Sequence, residues 1–131
     1  MISDDLINTS KQKVKYKSPD PHHEHNDCIR IAYEWLDAQK KTKNPAKRGN
    51  PLKHIIEKWG GRYVSTSDVE VAAFIHPDIT GTYPYYNISS RLTEPSTSRI
   101  DNLAEAFTHN NYREHYESSL YKIHEDITQE A

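Results

Sequence analysis

The chain has 131 residues, of which 34% are hydrophobic, so its length and composition fit one domain with a single small core. It has no apolar run long enough to cross a bilayer and no apolar N-terminal stretch typical of a signal peptide, and we expect a cytoplasmic protein with no membrane partner. The single Cys28 excludes an internal disulfide and a multi-cysteine zinc finger, and it is expected to fill a small core position.

The formal net charge of −2 hides an asymmetry along the chain. Residues 1–62 carry 13 Lys and Arg against 8 Asp and Glu, whereas residues 63–131 carry 4 against 11. The densest basic run consists of Lys40, Lys41, Lys43, Lys47, Arg48, Lys53, Lys58 and Arg62, interrupted only by Glu57. Such a run attracts a polyanion; the alternative is that these side chains merely solvate a helix end and a loop.

Residues 1–25 are predicted to form a basic, loosely ordered N-terminal arm, followed by a helical domain over residues 26–131. The stretch KQKVKYK (residues 11–17) alternates lysine with other side chains, which indicates either a charged edge strand or an arm. Two prolines in the following SPDP prevent a helix from starting before them.

Three helices are predicted next. The first runs from about Asn26 to Lys43, with apolar residues at helical spacing. The second runs from Leu52 to Trp59, after Pro51 and before two glycines. The third follows Ser65 and Asp68, which have capping-box spacing, and ends before Pro77.

The stretch GTYPYYNISSRLTEP predicts a fourth helix that starts at Pro84 and ends before Pro95. Its aliphatic residues Ile88 and Leu92 are four apart, which is one helical turn. Two more amphipathic segments follow, from Ile100 to Phe107 and from Tyr112 to Ile127. We therefore predict a mainly α fold, a compact bundle of five to six helices with at most a small β wing or an N-terminal strand.

The last segment has two interpretations. Its apolar stripe closes the core, or it pairs with the same helix of a second chain in a homodimer. Its ending, DITQEA, lacks a helix stop, which favours a longer native chain.

The outer face of the predicted fourth helix has the kinds of side chain that bind DNA. With Ile88 and Leu92 inward, the outward, base-reading residues are expected to be Tyr86, Asn87, Ser90 and Arg91. Asparagine pairs with adenine and arginine with guanine, and residues 81–93 contain no Asp or Glu to repel phosphates. The expected phosphate-binding residues are Thr80, Thr82, Tyr83, Lys40, Lys41, Lys43, Lys47, Arg48 and Lys53.

The third and fourth helices together, from Ser65 to Leu92, resemble the helix-turn-helix and winged-helix class of DNA-binding domains. This resemblance implies sequence-specific binding of double-stranded DNA by a transcription regulator or a replication-origin initiator. The connection HPDITGT is longer than the turn of the simple motif. The alternatives are that the tyrosines only fill an aromatic core, or that a Tyr-rich face binds a protein as a small inhibitor or adaptor.

The stretch PHHEHNDC offers metal-ligating atoms in His22, His23 and His25, but no distant His or Cys pair stands at a recognised metal spacing. Motifs for nucleophilic catalysis and for phosphate loops are also missing from the sequence. We accordingly expect no enzyme activity, no catalytic residues, no cofactor and no bound metal.

Overall fold

The structure is a computed structural model that describes residues 1–126. Over these residues the chain forms five α-helices and one two-stranded sheet. The helices are α1 (Asp4–Lys13), α2 (Asn26–Ala38), α3 (Leu52–Gly60), α4 (Thr66–Ile75) and α5 (Asn110–Arg113). The strands are β1 (Thr93–Glu94) and β2 (Ile123–His124), which pair in parallel with Thr93 opposite Ile123. Short 3₁₀ turns lie at Thr97–Arg99 and Ser118–Leu120.

Helices α2 and α4 pack against each other at the centre of the molecule. Most of α4 is buried, and its residues Ala72 and Ala73 allow the close approach of a neighbouring helix. The largest fully buried side chains are Trp35 on α2 and Trp59 on α3. The mainly α fold predicted from the sequence is confirmed at this level.

The C-terminal third covers this helical centre through specific polar contacts. The Trp35 indole N–H donates to the Tyr121 hydroxyl at 3.0 Å, and the Trp59 indole N–H donates to the Pro95 carbonyl at 3.1 Å. The buried Gln39 side chain pairs with the main chain of Thr93, donating to its carbonyl and accepting from its N–H. The strand pair is therefore fixed to the end of α2.

The predicted second and third helices are confirmed, and the first is confirmed with an earlier end. Ser65 and Asp68 form the expected capping box at the start of α4. Helix α2 ends at Ala38 rather than near Lys43 because the Lys41 ammonium caps it, donating to the carbonyls of Leu36 and Asp37.

The prediction of a fourth helix from Pro84 is wrong. Residues 76–92 contain no helix, so the expected helix-turn-helix is not present in this part of the chain. The main chain of this segment bonds to other segments instead, as in the donation from Thr42 N–H to the Asn87 carbonyl at 2.8 Å. Tyr86, Asn87 and Ile88 are all buried in this irregular segment, so the four-residue spacing of Ile88 and Leu92 does not reflect a helical face.

The two later helices are also mispredicted. Residues 100–107 form successive turns with bonds between residues three apart, and Phe107 adopts a positive φ of 62°. Between Tyr112 and Asp126 the chain contains only the end of α5, a 3₁₀ turn and β2, so these residues form no long amphipathic helix. Ile127, the last apolar residue of that prediction, lies outside the described residues.

The N-terminal region is more ordered than the sequence indicated. Residues 4–13 form α1 rather than an arm or an edge strand, with Ser3 as its N-cap. Ile7 is fully buried and α1 contacts both α2 and α4. None of the helices within residues 1–126 combines the length and the apolar character needed to cross a membrane.

Candidate nucleic-acid interface

The basic stretch between α2 and α3 forms a loop over residues 39–51, which we call the basic loop. Asn44 and Asn50 each precede a proline, and this position disfavours helical backbone. The loop contains no strand or helix apart from a single bridge, in which Lys41 lies antiparallel to Ile88. Its shape therefore depends on what its main chain contacts.

The basic loop is paired with the segment that the sequence assigned to the fourth helix. Ser89 N–H donates to the Lys40 carbonyl at 2.8 Å, and Ala46 N–H donates to the Tyr86 carbonyl at 3.2 Å. The basic stretch and the predicted base-reading stretch are thus neighbours in space. Residues 38–56 and 79–93, which contain both, include no Asp or Glu.

Asn87 holds this pairing together from inside. Its residue is only 5% exposed, and its side-chain oxygen accepts from Thr80 N–H at 2.7 Å. Its amide nitrogen donates to the carbonyls of Asp78 and Thr42, at 2.9 and 3.2 Å. One buried amide therefore joins three stretches of main chain, which is the use that turns commonly make of asparagine.

The expected base-reading residues separate into two buried and two exposed. Tyr86 and Asn87 are 3% and 5% exposed, so the expectation that they face outward is wrong. They are buried because Tyr86 packs in the core and Asn87 bonds to neighbouring main chain. Ser90 and Arg91 are exposed, immediately beyond the paired stretch.

The expected phosphate-binding lysines also differ in what they contact. Lys41 is half-buried and donates to the end of α2, and burial lowers the pKa of its ammonium. Lys53 pairs with the buried Glu57 at 2.7 Å and lies over the ring of Tyr63. Both cations are therefore used inside the molecule. Arg62, from the same basic run, is buried and paired with Glu24 and Glu105.

A group of cations remains exposed around the paired segments. Among the described residues these side chains have no ion-pair or hydrogen-bond partner, and we call them the basic surface: Lys40, Lys43, Lys47, Arg48 and Arg91. Thr80 and Thr82 are also exposed, whereas the half-buried Tyr83 accepts from Lys53 N–H through its hydroxyl. The sequence did not indicate that Arg91 belongs with the basic loop; the shared lack of acidic residues was the available signal.

The histidine cluster makes contacts of a different kind. His23 Nδ1 lies 2.8 Å from the fully buried Asp68, and its Nε2 lies 2.7 Å from the Tyr16 hydroxyl. His22 pairs with Glu24, and His25 accepts from Asp27 N–H as the N-cap of α2. These side chains do not converge, and no group of three or more His, Cys, Asp or Glu with metal-ligand geometry occurs in residues 1–126.

Comparison with known proteins supplies no family for this chain. No family model, curated protein or solved structure matches it.

Proposed function

We propose that this protein binds double-stranded DNA through the basic surface, with the phosphate backbone as the principal target. The observation that carries the proposal is the pairing of two acid-free segments, which collects five exposed cations that have no ion-pair partner within residues 1–126. Cations without internal partners are available to replace the counterions that condense on DNA. In this proposal a helix-turn-helix has no part.

Two exposed side chains remain as candidates for reading bases. Arg91 has the donor geometry that matches guanine, and Ser90 beside it can donate or accept. Ser90 and Arg91 lie three and four residues beyond Asn87, at the edge of the basic surface. A loop arginine beside a phosphate-binding loop supplies modest sequence preference on top of backbone affinity.

The alternative function, protein binding by a Tyr-rich face, has less support. Tyr86 is buried, and Tyr83 is half-buried with its hydroxyl bonded to Lys53 N–H. Of the tyrosines in this stretch only Tyr85 counts as exposed. The aromatic anchors that such an interface needs are therefore mostly inside the molecule.

The test is the dependence of DNA affinity on salt concentration. If the basic surface releases one counterion per contacted phosphate, a random-sequence duplex should show a slope of log K against log[salt] of about −4 to −5. Lys47→Gln should reduce the steepness of this slope by about 1. The measurement is fluorescence anisotropy of a labelled duplex at several salt concentrations.

Lys122→Gln is the matched control, because it removes the same charge from an exposed position in the C-terminal segment. It should leave the slope unchanged. A slope near zero for the wild type, or equal effects of both variants, would overturn the proposal. Arg91→Ala should in addition reduce the preference for selected over random duplexes, at a cost of about 1 to 3 kcal/mol on the selected site.

A further inference from the structure

A cleft of about 580 Å³ lies between the segment that follows α1, helix α4 and the 79–86 stretch. This volume is in the range of small-molecule sites. Pro45 of the basic loop packs beside Gly81, and none of the residues that line the cleft belongs to the basic surface. The cleft is therefore a separate feature from the basic surface.

Glu70 of α4 lines this cleft and has an unused acceptor. Its residue is 8% exposed, and its Oε2 accepts from Lys17 N–H at 3.0 Å. Its Oε1 is buried and has no hydrogen-bond partner among the described residues. A buried carboxylate oxygen without a donor is costly, so such an atom needs an explanation, and a bound donor from a ligand is one.

A second polar group without a partner lies near this carboxylate. The hydroxyl of Tyr86, which also lines the cleft, makes no hydrogen bond to the described residues. Burial, with a smaller contribution from the nearby Glu70, raises the pKa of Tyr86, so the hydroxyl stays protonated. The inner part of the cleft thus offers a carboxylate that accepts hydrogen bonds and a hydroxyl that donates one.

The mouth of the cleft has the opposite charge. Lys13, Lys15 and Lys17 are exposed on the segment that forms one wall, and Glu70 is the only acid among the lining residues. The Lys17 ammonium is held beside the 79–86 stretch by the Tyr83 carbonyl at 3.3 Å. A ligand that bonds to both ends of the cleft therefore has hydrogen-bond donors at its inner end, facing Glu70, and an anionic group at its outer end, facing the lysines.

The walls between these ends are apolar and aromatic. Phe74 is 51% exposed although it belongs to α4, and it lines the cleft with Ala73, Ile79 and Tyr83. An exposed ring beside a basic rim is the arrangement on which nucleobases stack. The ligand therefore has a flat, apolar body.

We propose that the cleft binds a guanine nucleotide. The N1–H and the exocyclic amino group of guanine donate to Glu70, the Tyr86 hydroxyl donates to an acceptor on the base, and the phosphate lies among Lys13, Lys15 and Lys17. Adenine and uracil do not present two adjacent donors to a carboxylate. The proposal does not rest on DNA binding by the basic surface, because a free mononucleotide carries all the required groups.

The first experiment is a calorimetric titration of the whole chain with GMP, IMP and UMP. IMP lacks only the exocyclic amino group, so it should bind about tenfold more weakly than GMP, and UMP more weakly still. Equal affinity for GMP and IMP overturns the assignment of the base to Glu70.

A parallel titration with a thymidine strand that contains one central guanine distinguishes a free nucleotide from a nucleic-acid strand as the ligand. If the strand binds more tightly than GMP, the cleft is assigned to an unpaired base in a strand. The absence of binding to both GMP and the strand overturns the proposal.

The variant Glu70→Gln separates a binding role from a structural one. It keeps the acceptor for Lys17 N–H and removes the buried charge, so the unliganded variant should melt at the same or a higher temperature than the wild type. Its preference for GMP over IMP should fall to about twofold or less. A lower melting temperature with an unchanged preference would assign Glu70 a structural role and overturn the proposal.

Two further variants complete the test. Tyr86→Phe removes a hydroxyl that bonds to no described residue, so it keeps the fold and should weaken GMP binding several-fold even if Glu70→Gln folds poorly. Lys122→Gln, which removes an exposed charge outside the cleft, should leave GMP binding unchanged. If GMP binds while the duplex slope is near zero, only the DNA-binding proposal fails. If Glu70→Gln binds the duplex normally and the wild type binds neither GMP nor the guanine-containing strand, only the cleft proposal fails.

Discussion

The amide of Asn87 makes three side-chain hydrogen bonds to the main chain of Thr80, Asp78 and Thr42. Asn87→Ala would leave these buried groups without partners, and we expect it to lower the free energy of unfolding by about 2 to 4 kcal/mol. Urea denaturation followed by circular dichroism measures this change. Ser90→Ala, three residues away and exposed, should change stability by less than about 0.5 kcal/mol. Similar stability for the two variants would contradict the role assigned to Asn87.

Cys28 provides a pH-dependent contribution that can be isolated. Burial raises the pKa of its thiol from 9.0 to about 12, and its Sγ donates to the Tyr63 carbonyl at 3.4 Å. Above pH 9 the unfolded chain loses this proton and the folded chain keeps it, so stability falls with rising pH by about 1.4 kcal/mol per unit until the folded pKa is reached. Comparing urea midpoints of wild type and Cys28→Ala from pH 8 to about pH 11 should show the extra slope only in wild type. Parallel curves for the two proteins would refute it.

At the scale of elements, Arg99 connects the last strand to α2. Its guanidinium donates to Glu34 and Asp37 of α2 and, with two of its nitrogens, to Glu125 beside β2. The two bonds from Arg99 to Glu125 lower the pKa of the Glu125 carboxyl. The stability that they add is therefore present above the ordinary glutamate pKa and is lost as pH falls through the lowered value. Arg99→Gln should destabilise the protein by about 1 to 3 kcal/mol at pH 7, with a smaller difference near pH 3.

Hydrogen exchange locates this effect within the fold. The amides of Lys122 and Glu125 donate to the carbonyls of Leu92 and Glu94, and they should lose protection in Arg99→Gln before amides of α2 and α4 do. Uniform loss of protection over the whole chain would instead show that Arg99 acts on the global fold. The pH dependence then distinguishes an ionic contribution from simple packing.

Helices α3 and α4 were predictable because each has a local signal at both ends, whereas α2 lacks one at its C-terminal end and was predicted too long. Pro51 and Gly61 bound α3, and Ser65 and Asp68 form a capping box whose bonds the sequence spacing anticipates. Helix α1 was missed although Asp4 and Asp5 begin it and Lys11 and Lys13 end it, which is the charge order that the helix dipole favours.

The candidate site was predictable in composition and not in conformation. The lack of acidic residues in the 79–93 stretch and the density of lysines in the basic loop are visible in the sequence, and the structure places them together. Asn87 is buried because its side chain bonds to the carbonyls of Thr42 and Asp78, which are 45 and 9 residues away in the sequence. No local sequence spacing indicates these partners. Ile88 and Leu92 are both buried although they lie in an irregular segment. Their four-residue spacing alone therefore does not distinguish such a segment from a helix.

At the scale of the whole molecule, one cluster of buried residues runs from Ile7 in α1 to Tyr121 near β2. Because this single core includes both Trp35 and Trp59, tryptophan fluorescence and circular dichroism should report the same urea unfolding transition, with equal midpoints. Both indoles are fully buried, so the folded protein should emit at shorter wavelength than the unfolded chain. Two separate midpoints would show that the C-terminal third unfolds independently of the helices.

The basic loop is attached to its neighbour through main-chain atoms of Lys40, Thr42 and Ala46, whereas its exposed side chains make no such attachment. The path of the loop and the charge that it carries are consequently set by different atoms. A series of variants with fewer, more or reversed charges at Lys43, Lys47 and Arg48 can therefore share one backbone. Such a series would measure how a ligand responds to charge alone.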